Sequence, residues 1–142
     1  MARRLREVAE VREIQRNAAE VEAARAAAAA REARSDRNAG AERLGESQAG
    51  WAASMEGRFD PAVAAVWAAS VRGREEELRF LERTDGAAGE ERDRKAQARQ
   101  IAHARADAAE EEARRSARRV AQHREETALA EAADRASRKG RA

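Results

Sequence analysis

Two histidines and two glutamate runs are the side chains here that could do acid–base or metal chemistry. His103 and His123 stand twenty residues apart. On one helix that is ~30 Å, too far to share a metal within a chain. Solvated or interhelical histidines account for both. Glu75-Glu76-Glu77 and Glu110-Glu111-Glu112 supply carboxylates, with arginines following each run. Consecutive helical residues point in different directions, so these runs read as solvated charged faces rather than a paired acid and base. There is no cysteine, no Ser/His/Asp arrangement and no glycine-rich phosphate loop after a strand. A narrow pair of helices also lacks the concave, water-excluding pocket that most catalysis needs. The expectation is a protein that is not an enzyme, with no catalytic residue, metal or cofactor and no small-molecule substrate.

What remains is the chemistry of contact. All four aromatics (Trp51, Phe59, Trp67 and Phe80) crowd around Asp60-Pro61, the only proline site. With Met55, Val63, Val66, Val71, Leu78 and Leu81 they form the densest apolar patch of the chain. Two helices in contact bury one stripe each. Val66 and Trp67 are adjacent, as are Phe80 and Leu81, so one member of each pair must point off the seam. Most of the patch packs the bend, and the remainder forms an exposed strip suited to gripping another protein.

The elements that position this patch follow from composition. Charged residues make up 39% of 142 residues and hydrophobic ones 42%, but 40 of the 60 hydrophobic residues are alanine. Twenty large apolar side chains cannot fill a thick core; they can line one seam. Asp followed by Pro is a helix-start signal, the carboxylate capping free N–H groups and the proline sitting where no N–H is needed. The predicted fold class is all-α: a single elongated two-helix antiparallel coiled-coil hairpin with a longer second helix. Helix one runs over about 2–56, the turn over 57–60 and helix two over about 61–138. In helix one the expected seam is Val11, Ile14, Ala18, Val21, Ala24 or Arg25, and Ala28, continued upstream by Leu5 and Val8. Gly40, Gly45 and Gly50 each weaken the helix by about 1 kcal/mol relative to alanine, and a break near 38–41 is the alternative to a continuous helix. Helix two carries Val63, Trp67, Val71 (or Ser70), Leu78, Leu81, Ala88, Ile101, Ala109, Ala113, Val120 and Thr127. Glutamates four residues before a base support it at Glu75–Arg79, Glu90–Arg94, Glu91–Lys95, Glu110–Arg114, Glu111–Arg115 and Glu131–Arg135. Folding back at the turn sets Trp51 against Val66 and Trp67, Val21 near Ala96, and Ile14 near Ile101 and His103. The last ~20 residues of helix two are left without an intramolecular partner, and a lone helix of that length is marginal in water.

The formal net charge is +2, with 27 arginines among 29 basic residues against 27 acids, interleaved rather than blocked. That balance disfavours nucleic acid as a partner. No apolar run follows the opening arginines, and none approaches the ~18 residues of a membrane span. A cytoplasmic location is the default.

Together, these features resemble the FliJ family of flagellar type III export proteins and the YscO-like injectisome stalk proteins. The likeness lies in length, in the hairpin plan, in the opening Leu5-Arg6-Glu7-Val8-Ala9-Glu10-Val11-Arg12-Glu13-Ile14-Gln15, and in the charged tail from Arg124 to Asp134. The resemblance implies a cytoplasmic stalk, peripheral at the inner face of the membrane, that enters the export ATPase hexamer, contacts the export gate and handles export chaperones. It further implies that Leu5, Val8, Val11, Val120 and Leu129 lie toward the ATPase ring. Trp67, Val71, Leu78 and Leu81, with Phe80 beside them, would then face the gate. A monomer is expected of such a stalk. A structural coiled-coil adaptor, dimeric through the alanine seam, is the alternative, and an arginine-rich nucleic-acid binder a more distant one.

Overall fold

The computed structural model describes residues 1–141, which form two α-helices and no strand. α1 spans Ala2–Ser54 and α2 spans Pro61–Gly140, 53 and 80 residues long. They pack as a two-helix hairpin with the longer helix second. α1 is continuous through Gly40, so the break near 38–41 does not occur. It stops two residues earlier than expected. The Met55 and Glu56 amides donate to the carbonyls of Ala52 and Ala53, tightening the last turn, and Gly57 then takes a φ of +73°. That left-handed conformation is one glycine adopts without steric cost. At the other side of the turn, Asp60 accepts from the Ala62 amide at 2.9 Å while its carbonyl accepts from Ala64. Pro61 is the first helical residue, as the capping signal predicts.

By packing, the chain divides into two units: Val21–Gln97, which contains the turn, and Met1–Glu20 with the chain from Ala98 onward. Both are held by small residues. The buried positions of the first are Ala30, Ala33, Gly40, Ser47, Ala64 and Val71; those of the second are Ala106 and Ser116. Among the described residues no large side chain is fully enclosed.

The seam of α1 is not the expected one. Val11, Ile14, Ala18, Val21, Ala24, Arg25 and Ala28 are all exposed. The less exposed positions instead recur at three and four residues through Ala9, Arg12, Arg16, Ala19, Ala23, Ala26, Ala30, Ala33, Arg37, Gly40, Leu44 and Ser47. This set lies two residues out of step, on the opposite side of the helix. Small side chains let two helices approach closely, and the larger side chains of α2 then fill what the small ones leave. A β-carbon on Gly40 would fall 2.6 Å from a Leu81 methyl, and one on Gly50 2.5 Å from the Trp67 ring. Two of the three glycines that weaken α1 as an isolated helix are therefore sockets for α2. Gly45 faces open space.

In α2 the expected seam holds at Trp67, Val71, Leu78, Leu81, Ala88, Ala109 and Ala113, all buried or half-buried, and fails at Val63, Ile101, Val120 and Thr127, which are exposed. The register at the turn is the expected one: Gly50 meets Trp67 and Ser47 Oγ lies 3.0 Å from Ser70 Oγ, both in the pairing that sets Trp51 against Val66. Farther on it shifts: His103 bonds Glu20, not the neighbourhood of Ile14.

Candidate functional site

The patch around the turn divides into an inward and an outward set. Val71 is only 5% exposed, and Trp67, Leu78 and Leu81 are half-buried against the glycine sockets of α1. Their neighbours point away: Val66 is 69% exposed and Phe80 61%. Each adjacent pair is split between seam and solvent, as a two-helix packing requires. Met55, Phe59 and Val63 are also exposed, so large apolar side chains extend the outward set around the turn. Of the five residues expected to face a partner here, four pack α1 and Phe80 alone is free. Val66 joins it as the off-seam member of its pair, the signal that identifies both; Val63, expected in the seam, is exposed as well and carried no such signal.

Polar bridges lock the inward set. Arg43 donates to Glu77 at 2.7 Å, and Arg74 donates to the other oxygen of Glu77 at 2.9 Å. These bonds, Arg74 first and then Arg43, hold the Glu77 carboxyl below its ordinary range. Arg37 approaches Asp85 at 3.4 Å and Lys95 approaches Glu22 at 3.5 Å. The charged pairs are at least one-third exposed on one side, so each contributes little by itself. Their use is to fix which residues meet.

In the other unit, Glu20 bonds His103 and lies 3.8 Å from Arg99. The His103 bond is the main cause of the lowered Glu20 pKa. His103 is thus an interhelical histidine, one of the two roles its position suggests. Four of the six expected ion pairs four residues apart form within α2: Glu75–Arg79, Glu91–Lys95, Glu110–Arg114 and Glu111–Arg115. Arg94 turns to Glu91 instead of Glu90, and Arg135 bonds the Glu131 carbonyl. Of the residues expected near the helix ends, Leu5 is half-buried; Val8, Val120 and Leu129 are exposed. From Ala117 onward every described residue is exposed.

Among the described residues no group of three or more His, Cys, Asp or Glu side chains is placed to hold a metal ion, and no helix is long and apolar enough to cross a membrane. No family model, curated protein or solved structure matches this chain.

Proposed function

We propose that this protein is a flagellar type III export component: a coiled-coil stalk that engages the export ATPase ring and the export gate and escorts export chaperones. The observation that carries the proposal is the exposure of Val63, Val66 and above all Phe80 on α2, outside a hairpin whose own seam is filled by Trp67, Val71, Leu78 and Leu81. Exposed aromatics are the usual anchors by which one protein grips another. The unequal helices and the opening Leu5 to Gln15 add support through the resemblance to the FliJ family. In this reading Phe80 with Val63 and Val66 touches the gate. Trp67, Val71, Leu78 and Leu81 hold that face in shape rather than bind. Leu5, Val8, Val120 and Leu129 lie toward the ATPase. The protein then works in the cytoplasm at the inner face of the membrane.

The test mixes the full chain separately with purified export ATPase and with the cytoplasmic domain of the gate. Binding to both is expected, with a changed ATPase rate. Phe80→Ala should weaken the gate complex roughly tenfold or more while ATPase binding and helix content persist. Failure to bind either partner rejects the stalk and leaves a general coiled-coil adaptor.

A further inference from the structure

The outer face of α1 carries a second regular stripe that the hairpin does not use. Glu7, Val11, Ile14, Ala18, Val21 and Arg25 follow one another at alternating steps of four and three, and all are exposed. They belong to one unbroken helix. Alternating three–four spacing is the pattern by which one helix supercoils with another. A shift of two residues turns a helix by about 200°, so this stripe faces away from the seam that meets α2. We propose that it pairs antiparallel with the same stripe on a second copy of the chain.

The choice of occupant rests on symmetry and charge. Steps of four, three, four, three and four read the same in both directions. A twofold axis midway between Ile14 and Ala18 therefore sets every member of the stripe against another member on the copy. Ile14 meets Ala18, a large side chain against a small one, and Val11 meets Val21. At the ends Glu7 meets Arg25, so the charges are complementary. A parallel arrangement would instead oppose Glu7 to Glu7 and Arg25 to Arg25. Gln15 and Asn17, beside the axis, are uncharged and oppose no like charge there. Glu7 at present lies 3.3 Å from Arg3, and Arg25 3.6 Å from Glu22, both on the same helix. Exposed pairs of this kind are weak, so exchanging them for a pair between copies costs little. The stripe is ~27 Å long, and one such stripe buries less than a permanent dimer needs. The association is therefore reversible, and a dilute chain is a monomer, as a stalk requires. The inference does not depend on the export reading.

Sedimentation equilibrium of the full chain from ~10 µM to ~1 mM tests it. A concentration-dependent dimer is expected. Ile14→Glu, at an exposed position, should abolish the dimer without changing helix content. Glu7→Arg should weaken it roughly tenfold or more, and adding Arg25→Glu should restore it. The chain has no cysteine, so orientation can be read by disulfide trapping. Ile14→Cys chains mixed with Ala18→Cys chains should cross-link faster than either alone. A chain monomeric throughout the range, a dimer indifferent to Ile14→Glu, or fastest trapping of Ile14→Cys with itself would overturn the proposal.

Discussion

The unit containing the turn and the unit containing the chain from Ala98 onward use the same kind of seam but grip differently. In the first, Trp67 and Leu81 press into Gly50 and Gly40, and Val71 is enclosed beside them. Three ion pairs (Arg37–Asp85, Arg43–Glu77 and Lys95–Glu22) and the Ser47–Ser70 hydrogen bond join its helices. In the second, burial falls on Ala106 and Ser116, and the interhelical polar contact is Glu20 with His103 and Arg99. Alanine and serine bury little apolar area, so helix propensity carries more of the second unit and tertiary packing more of the first. Stability should follow that division.

Hydrogen exchange should show the largest contrast. Amides of 30–47 and 64–81 should exchange slowly, through near-global opening, and those of 117–140 quickly, through local fraying. Equal protection in both would erase the distinction. Trp67→Ala comes next, at about 3 kcal/mol in denaturant unfolding, the low side for a truncated large aromatic because the ring is half-buried. Val120→Ala, at an exposed position in the other unit, should cost under about 1 kcal/mol.

The glycines sharpen the comparison on a smaller scale. Gly45→Ala meets nothing and should stabilise by roughly 0.5–1 kcal/mol through helix propensity. Gly50→Ala meets a rigid ring and should lose about 1 kcal/mol net, overpacking outweighing propensity. Gly40→Ala should be near neutral, since the Leu81 methyl can swing aside. Thermal melts of the three variants suffice; a Gly50→Ala that melts as high as Gly45→Ala would show that Trp67 is not seated there.

The smallest effect is acid sensitivity. Glu77 and Glu20 have lowered folded pKa values, so their contribution is present above the ordinary carboxylate range. It is lost as pH falls through the folded values. Glu77→Gln and Glu20→Gln should each flatten slightly the decline in melting temperature on acidification. An unchanged slope in both would mean that these bridges do not persist in solution.

Much of this molecule is legible without coordinates. Asp60-Pro61 announces the start of α2 because capping is local chemistry between a carboxylate and amides two residues away. The split of Val66 from Trp67 and Phe80 from Leu81 follows from helical geometry alone. Gly40 and Gly50 mislead for an equally physical reason: their cost belongs to an isolated helix, whereas their value belongs to a pair. The four residues expected to face a partner at Trp67, Val71, Leu78 and Leu81 are the best hydrophobic fits to α2's period, and that made them the side chains its neighbour used first.

Helix content, the position of the reversal and the greater length of α2 were determined by the sequence itself, since each depends on propensity and contacts a few residues apart. Tertiary structure decided which of two stripes on α1 would face α2. Both keep three–four spacing, and the aliphatic one is the more hydrophobic. The small one is the stripe that carries Gly40, where Leu81 packs, and a fit of that kind exists only when both helices are present.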